Sequence, residues 1–358
     1  MTSGPPQLSV VIPSYNSAPW LPSTLAALGE AIRVAAVPVE VLVVDDGSQD
    51  DTPGVVDALV QGFPARLELV QQENRGRFLA RWEGIQRATA DWIVLLDSRV
   101  LIDSGAVAHL MSVLATAGAP TALNGHVRTP PRTPLVGLFW DVPTHIFWGS
   151  YLRDPRPYEL NAVTFDSAPK GTTLFAASRL KLQGAFRHAW PEGDAKLVSD
   201  DTKVLRWIAK YGGIRIDPAF SAVYRPRTTV QGFVRHTLDR GTLFVDSYAG
   251  TSTVRSAAIL LLVLAPALLV AALVWLVLSG AWVAALMILV GTIALGLAPL
   301  VPAAINRCPP RSLLAYACIL PVFVIPFWLG LIRGAIVHRR AFGGNREAAR
   351  PGSREESG

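Results

Sequence analysis

The chain has 358 residues, of which 51% are hydrophobic, and it carries a formal net charge of +6. This length exceeds one ordinary domain, and the composition is too apolar for a wholly soluble protein. The positive residues form no run with interleaved aromatic side chains, which argues against nucleic-acid binding, and arginines instead flank the hydrophobic segments, as expected for anionic lipid headgroups.

Two predicted strands near the N-terminus end in polar residues. Residues 8–12 form the first predicted strand, and we expect Pro13 to end it because proline cannot donate to a sheet ladder. Residues 39–44 form a β-branched run that ends at Asp45 and Asp46, which is typical of a buried parallel strand emerging into a loop. Ligands of open α/β sheets bind at such strand ends. An ordinary strand end with a solvated acidic turn would give the same pattern.

Two segments together resemble the nucleotide-sugar-binding start of the family 2 glycosyltransferases of the GT-A fold, namely VIPSYN at 11–16 and VVDDGSQDDT at 43–52. The resemblance implies an α/β GT-A domain that binds a nucleotide diphosphate sugar. It implies that the loop with Pro13, Tyr15 and Asn16 holds the base and ribose, mainly through its shape. It also implies that Asp45 and Asp46 bind the nucleotide, and it leaves open which of them meets the base.

The next match to the family follows the third predicted strand. Asn74 and Gly76 match the family's N-x-G, and Arg81 and Gly84 match the arginine and glycine of the helix that follows. Trp82 stands where the family often has asparagine. The resemblance makes Arg81 a candidate nucleotide contact, and the alternative is that Arg81 lies on a solvated helix face.

The strand at residues 92–96 runs into Asp97, Ser98 and Arg99. The family places D-x-D here, where two carboxylates hold a divalent cation, Mg²⁺ or Mn²⁺, that bridges the donor's diphosphate. Arg99 replaces the second carboxylate, so Asp97 is the one candidate metal ligand of the motif. Either Arg99 itself pairs with the pyrophosphate and weakens metal dependence, or it points away or pairs with Asp97 or Asp103, and the metal binds through Asp97 and phosphates.

No P-loop or G-x-G-x-x-G occurs, and the six histidines lack metal-ligand spacing. We therefore expect neither an organic cofactor nor a zinc site. The aromatic-rich stretch at 135–152 predicts core packing, or else an acceptor cleft or a bilayer interface. The segment that includes Lys170 and Gly171 resembles the family's acceptor-side segment, and Gly171 would allow close approach of backbone to ligand.

Ser199-Asp200-Asp201-Thr202, followed by a predicted helix, a glycine and a strand, resembles the family's base motif. An inverting transfer needs a carboxylate within hydrogen-bond reach of the acceptor hydroxyl. By resemblance Asp201 is the predicted general base and Asp200 supports it. Ser199 or Asp200 could also simply cap the helix. Glu192 and Asp194 are the reserve candidates.

Four arginines lie between this motif and the apolar region, namely Arg225, Arg227, Arg235 and Arg240. They are candidate contacts for the phosphate of a donor or of a lipid-linked acceptor. Alternatively, they form a solvated juxtamembrane face. Processive synthases of the family carry Q-x-x-R-W in this region. The chain has Thr237-x-x-Arg240-Gly241 instead. This difference favours transfer of a single sugar over polymer synthesis.

Three apolar segments follow, at 256–278, 280–305 and 312–333. The first two exceed the ~20 residues needed to span a bilayer, and Arg307 and Arg311 in the next loop fit a cytoplasmic start. The third either spans or is re-entrant, because Pro321 and Pro326 interrupt it and a span would leave an arginine-rich tail outside. We predict a GT-A domain over 1–250, a transmembrane region over 251–337 and a disordered basic tail over 338–358.

The N-terminus lacks the pattern of a signal peptide, and Cys308 and Cys318 offer no disulfide framework, which suits a catalytic domain in the cytoplasm. The predicted protein is a multi-pass enzyme of the cell membrane in cell-envelope glycan synthesis. It would transfer one sugar, with inversion, from a nucleotide diphosphate sugar to a lipid-linked or membrane-proximal acceptor. The rival interpretations are a non-catalytic nucleotide-sugar-binding scaffold and, less favoured, a processive polysaccharide synthase.

Overall fold

The computed structural model describes residues 4–343, and within them nine strands form one mixed sheet. The strands are β1 Leu8–Ser14, β2 Val39–Asp46, β3 Arg66–Gln72, β4 Trp92–Leu96, β5 Val100–Ile102, β6 Ala122–Arg128, β7 Tyr158–Leu160, β8 Leu174–Ser178 and β9 Ile214–Tyr224. Strands β3, β2, β1 and β4 are adjacent in that order and parallel. Their carboxyl ends therefore lie along one edge of the sheet.

The remaining strands extend the sheet beyond β4. Strand β8 is antiparallel to both β4 and β6, and β6 is parallel to β9. Strands β5 and β7 each pair with β9 in antiparallel fashion. Because β8 runs antiparallel to β4, the residues just before β8 lie beside the residues just after β4, which brings residues 170–173 next to Asp97.

The helices within the described residues are α1 Leu21–Ala35, α2 Thr52–Val60, α3 Arg77–Arg87, α4 Ala106–Leu114, α5 Leu135–Leu138, α6 Asp141–Arg153, α7 Arg179–His188, α8 Thr202–Lys210, α9 Val230–Tyr248, α10 Thr253–Leu278, α11 Trp282–Leu297, α12 Leu300–Ile305 and α13 Pro310–Val337. Two short 3₁₀ turns cover Ala195–Leu197 and Arg339–Phe342. The structure thus has the predicted α/β sheet followed by a helical region.

Successive residues of a strand point to opposite faces of the sheet. Both faces carry apolar side chains here, and helices cover both of them. On one face Val10 packs in a buried cluster with Leu25 of α1. On the other face Val11 packs with Phe78 of α3. A Cβ atom at Gly84 of α3 would overlap the Val11 side chain, so this glycine lets α3 lie close against β1.

One boundary differs from the prediction, because β1 does not end at Pro13. The strand continues to Ser14, and Pro13 is paired in register with Val44 of β2. On its other side β1 pairs with β4 only from Ser9 to Val11. Pro13 thus lies beyond the last pair on that side, so its missing N–H does not interrupt the sheet.

The described residues form two compact units. The first comprises 4–133 and 147–226 and contains the sheet; the second comprises 134–146 and 227–343 and contains the apolar helices. Helix α6 belongs to both, and its backbone is non-helical at Trp148 (φ −131°, ψ 23°). The predicted domain boundaries at 250 and 337 stay predictions.

Three helical segments are long and apolar enough to cross a membrane, Thr253–Leu278, Trp282–Ile305 and Pro310–Val337. They coincide with the three predicted segments. Helix α13 continues through Pro321 and Pro326 and does not turn back on itself. Of the predicted tail, residues 339–342 form the second 3₁₀ turn, and residues 344–358 lie outside the described part of the chain.

Within the second unit, α9 and α13 meet backbone to backbone. A Cβ at Gly241 of α9 would lie 2.8 Å from Gly330 Cα, and a Cβ at Gly334 would lie 3.0 Å from Thr242 O. Small residues four apart on one helix allow such close contact. Gly241 occupies the position of the tryptophan in the processive pattern, and no room for a tryptophan exists there.

Candidate active site

Asp46, the second carboxylate after β2, holds the loop after β3 in place. Its Oδ1 accepts from Gln72 Nε2 at 2.6 Å and from the Arg75 backbone N–H at 2.8 Å, and its Oδ2 accepts from the Gly76 N–H at 2.8 Å. Gly76 has φ +95°, and a Cβ there would lie 2.8 Å from Lys196 Cα. Both oxygens of Asp46 are therefore committed to the fold.

Asp45 is less engaged. Its Oδ1 accepts from the Ser48 hydroxyl, and the Ser48 N–H approaches its Oδ1 and Oδ2 at 3.3 and 3.4 Å. The loop after β1 is hydrogen-bonded to the turn after β2. The Asn16 N–H donates to Ser48 Oγ and Asn16 Oδ1 accepts from the Gln49 N–H, both at 2.8 Å. Tyr15, next to Asn16 in this loop, is 45% exposed.

Ser98 fastens the exit of β4 to the exit of β1. Its hydroxyl lies 3.0 Å from Ser17 Oγ, and its carbonyl accepts from Thr24 Oγ1 at 2.7 Å. The end of β1 with Pro13, the loop with Tyr15 and Asn16, and the loop with Ser98 thus lie together at one edge of the sheet. The structure brings these predicted residues together with Asp45.

Arg81 is 1% exposed, so the prediction of a solvated helix face is wrong. Its guanidinium donates to Asp97 Oδ1 at 2.5 Å and forms an ion pair with Asp200 Oδ2. Arg77, one turn earlier on α3, also pairs with Asp200, at 3.1 Å. Burial lowers the pKa of Arg81 to about 10, and the charge of Asp97 partly opposes this shift. At neutral pH Arg81 remains charged and connects the donor-side and base-side motifs.

Asp201 caps the N-terminus of α8. Its Oδ1 accepts from Ser199 Oγ at 2.8 Å, from Thr202 Oγ1 at 2.9 Å and from the Thr202 N–H. Within residues 4–343, none of these hydrogen bonds reaches Oδ2. Burial by itself would raise the pKa of Asp201, but the hydrogen bonds from Ser199 and Thr202, together with the charge of Arg77, outweigh it and lower the pKa.

The reserve candidates lie elsewhere. Glu192 and Asp194 are both exposed, and Asp194 caps the first 3₁₀ turn by accepting from the Lys196 N–H at 3.0 Å. Gly171 lies closer to the centre of the site, since its N–H donates to Asn124 Oδ1 at 2.9 Å. A Cβ at Gly171 would meet nothing nearer than Thr173 Oγ1 at 3.8 Å. A Cβ at this position would therefore make only ordinary van der Waals contact with Thr173.

Arg99 points away from Asp97. Its Nε donates to Arg225 O at 2.9 Å and its Nη2 to Pro226 O at 3.0 Å, while the guanidinium lies 3.9 Å from the centre of the Trp20 ring. Of the two sequence interpretations, this geometry favours the one in which Arg99 does not replace the cation. The role of Arg99 in nucleotide binding stays a prediction.

The candidate phosphate-binding arginines are also largely occupied. Arg225 donates to Trp20 O at 3.0 Å and to Thr24 Oγ1 at 2.5 Å, which secures the end of β9 to α1. Arg227 and Arg240 belong to the second unit. The Arg240 guanidinium lies 4.6 Å from the centre of the Trp140 ring and donates to His236 Nε2 at 2.9 Å.

Sequence reasoning missed Lys170. Its side chain is 9% exposed, and its ammonium lies 4.2 Å from the centre of the Phe165 ring and 5.6 Å from that of Trp148. Burial lowers the pKa of Lys170 to about 8, and the charges of Asp166 and Asp201 oppose that shift. The signal available in the sequence was a lysine directly before Gly171 in the segment already matched to the acceptor side.

The residues do not form a resident metal site. No group of three His, Cys, Asp or Glu side chains suited to a metal ion occurs within the described residues. Asp97 offers Oδ2, while Arg81 holds its Oδ1. One carboxylate together with substrate phosphates and water is a common environment for Mg²⁺. The geometry therefore fits a cation that arrives with a diphosphate ligand.

The sheet order, the carboxylates at neighbouring strand ends and the helix-capping aspartate define a GT-A-like domain. Residues 9–127 match the sequence model of the glycosyl transferase family 2, and this region includes Asp45, Arg81 and Asp97. This stretch therefore resembles a family 2 glycosyl transferase domain, as the sequence motifs predicted, and three apolar helices consistent with membrane anchoring follow it.

Relatives and solved structures agree with this assignment. The validoxylamine A glucosyltransferase of Streptomyces hygroscopicus subsp. jinggangensis is 33% identical over 179 residues, which cover 46% of this chain and 41% of that protein. The undecaprenyl-phosphate 4-deoxy-4-formamido-L-arabinose transferase of Sodalis glossinidius is 30% identical over 110 residues, covering 30% of this chain and 34% of that protein. The chain therefore spans less than half the length of these relatives.

A mannosyltransferase from Pyrobaculum calidifontis, solved in complex with GDP-Man and Mn²⁺, has a similar fold. Its TM-score is 0.57 at 20% identity, and the alignment covers 88% of this chain and 87% of that one. At this identity the likeness concerns the fold.

Proposed function

We propose that this protein transfers one sugar, with inversion, from a nucleotide diphosphate sugar to a lipid-linked or membrane-proximal acceptor. The observation that supports this most directly is the arrangement around Arg81. One buried guanidinium contacts both the carboxylate after β4 and the first carboxylate of the base motif. Donor-binding and base residues would thus lie in a single site.

On the donor side, we propose that Asp45 meets the nucleotide and that Asp46 only orders the loop. Asp46 has both oxygens in short hydrogen bonds to the protein, whereas the contact that Asp45 Oδ2 makes among residues 4–343 is a long one, 3.4 Å from the Ser48 N–H. The exposed side chain of Tyr15 would cover the base. A divalent cation, when it binds with the donor between Asp97 Oδ2 and the phosphates, would stabilise the negative charge of the leaving diphosphate.

On the acceptor side, we propose that Asp201 is the general base. Its Oδ1 is fixed by Ser199 and Thr202, so Oδ2 is left to accept the proton of the acceptor's O–H. The acceptor oxygen then bonds to C1 of the sugar as the bond from C1 to the phosphate oxygen breaks. The lowered pKa keeps Asp201 ionised and ready to accept that proton.

Asp201→Asn tests this assignment, because it keeps the shape of the side chain while removing its basicity. We expect transfer to fall by roughly 10²–10⁴-fold, with donor binding unchanged in a thermal-shift titration. Asp194→Asn is the matched control, since it is an exposed helix-capping carboxylate of the same segment. Turnover near that of the control would remove Asp201 from this role.

The same assay separates an enzyme from a scaffold. A scaffold would bind UDP-, GDP- or dTDP-sugars, and so raise the melting temperature by mass action, without releasing nucleotide. The wild-type protein should release it. A processive synthase remains disfavoured, because α13 occupies the space beside Gly241 where the motif's tryptophan would stand.

For the membrane region, we propose that α10 and α11–α12 cross the cell membrane and that α13 lies near its cytoplasmic surface. We also propose that the sheet unit is cytoplasmic. Phe323, near the middle of α13, packs against Trp140 with ring centres 5.6 Å apart. Arg240 rests on that same Trp140 ring. If α13 crossed the bilayer, this exposed arginine would lie near the hydrocarbon centre, where a charged side chain costs at least ~2.5 kcal/mol.

A further inference from the structure

The side chain of Lys170 is buried without a strong partner. Its hydrogen bond to Ala168 O is 3.5 Å long, and Asp166 Oδ1 lies at 3.7 Å. Asp166 is itself 49% exposed. By contrast, the exposed pair Arg128–Asp103 in the same unit closes to 2.5 Å. A buried ammonium with such long contacts costs the fold free energy, which is common at sites that bind a charged ligand.

Aromatic rings, rather than oxygen atoms, hold this ammonium in position. Phe165 is 3% exposed and lies under Lys170, and Trp148 covers a second side. Trp148 is fixed by its own Nε1–H, which donates to Asp166 O at 3.1 Å. The kink of α6 occurs at Trp148. Ring faces attract a cation without using its N–H donors, so the ammonium, whose contacts to Ala168 O and Asp166 Oδ1 are both long, can turn a donor toward a ligand.

A second cation faces the same ring. The Arg206 guanidinium of α8 lies 5.2 Å from the centre of Phe165, and its charge lowers the pKa of Lys170. The groups that face Lys170 are thus Asp166 from its own loop and Arg206 and Asp201 from α8. Lys170 and Arg206 thus place two positive charges against the buried ring of Phe165. The nearby carboxylate of Asp201 is already held by Ser199 and Thr202. This arrangement favours an anionic ligand beside Asp201.

The position of Lys170 relates it to the acceptor. The residues that follow it lead directly into the site: Gly171 N–H donates to Asn124, and the Asp97 N–H donates to Thr173 O at 3.0 Å. A Cβ at Gly171 would meet no atom closer than 3.8 Å, so this glycine is not tightly packed. Asp45 and its loop lie at the ends of β1 and β2, on the far side of β4 from β8. Lys170 therefore lies on the base side of the site.

We propose that Lys170 binds a phosphate group of the acceptor, and that the acceptor of this protein is accordingly a phosphorylated lipid. This rests on the proposed function for the direction of transfer, but the binding event itself does not require turnover. Lys170 and Arg206 would offset the repulsion between that phosphate and the ionised Asp201. Lys170 is a substrate-binding and specificity residue in this proposal, and it takes no proton.

Direct binding tests the proposal on the full-length protein in detergent. The probe is a short-chain polyprenyl phosphate, and the matching uncharged polyprenol serves for comparison. Binding is measured as a change in the fluorescence of Trp148 and its neighbours. We expect Lys170→Met to weaken binding of the phosphate roughly tenfold or more and to leave polyprenol binding unchanged. Lys170→Arg should retain most of the affinity. Lys210→Met, an exposed lysine at the end of α8, is the control.

The pH dependence gives a readout that a structural lysine would not produce. Lys170 is charged below its pKa of about 8, so phosphate binding should weaken as the pH rises through that value. Since arginine stays charged, Lys170→Arg should bind at higher pH than wild type. Equal binding of the phosphate and the polyprenol, or wild-type affinity in Lys170→Met, would overturn the proposal.

Two further outcomes separate this inference from the proposed function. If Lys170→Met weakens binding of nucleoside diphosphate instead, the residue belongs to the donor and the inference is wrong. If polyprenyl phosphate binds through Lys170 but the wild-type protein neither releases nucleotide nor transfers sugar, the inference holds and the proposed function fails.

Discussion

Removal of the Arg81 guanidinium should destabilise the sheet unit strongly. Arg81→Met keeps much of the length of the side chain but leaves Asp97 without its 2.5 Å partner, and it leaves the buried Asp200 with Arg77 alone. Breaking a buried ion pair on one side costs about 3–5 kcal/mol. In a domain of this size each kcal/mol lowers the melting temperature by about 2–4 °C. The expected decrease is therefore about 6–20 °C.

Thermal unfolding followed by tryptophan fluorescence in detergent measures this shift. The matched control is Arg87→Met on the same helix, where the arginine is 51% exposed and pairs with Glu83 at 2.6 Å. An exposed pair contributes at most about 1 kcal/mol, so the control should lose no more than about 4 °C. The melting temperature of Arg81→Lys should lie between those of the two variants, because one ammonium cannot replace a planar guanidinium that pairs with two carboxylates. Equal melting temperatures for Arg81→Met and Arg87→Met would refute the bridging role of Arg81.

Two other predictions concern the cation and the membrane. EDTA should abolish sugar transfer, because Arg99 points away and does not replace the cation. Since Asp97 supplies a single carboxylate, the protein without donor should bind no Mn²⁺ in a calorimetric titration. Full activity in EDTA would instead support the alternative in which Arg99 acts on the pyrophosphate. A reporter fused after the last residue should give the signal of a cytoplasmic C-terminus, because an α13 that lies along the cytoplasmic surface keeps the C-terminus on the side of Arg307 and Arg311. The signal of an external C-terminus would mean that α13 spans the membrane.

Local pattern was enough to predict the sheet edge. Residues 39–44 are apolar apart from Glu40 and rich in valine, and Asp45 and Asp46 follow them directly; the structure buries all eight residues in β2. The same holds for the apolar helices, whose length and composition are visible without tertiary information. Those elements are determined by hydrophobic burial along a single segment, which a sequence displays directly.

The sequence could not supply the partners of individual side chains. Arg81 looks like any arginine on an amphipathic helix, and only the placement of β4 and of α8 around α3 makes it a buried bridge. Likewise, the environment of Arg99 depends on the carbonyls of Arg225 and Pro226, more than a hundred positions away in the chain. Lys170 escaped notice for the same reason, since its two rings and Arg206 come from three separate segments.

The carboxylates of the site share one feature that the sequence does not show. Asp97 and Asp201 each have one oxygen held by donors from the protein and, among the described residues, a second oxygen without such a donor. A carboxylate whose first oxygen is fixed cannot rotate freely, so its second oxygen keeps a defined direction at little further cost in entropy. Asp46 has both oxygens bonded and serves structure. We therefore expect the oxygens that the fold leaves unbonded to distinguish ligand-binding carboxylates from structural ones in this domain, and the long contacts of Lys170 Nζ to Ala168 O and Asp166 make Lys170 the cation to test by the same criterion.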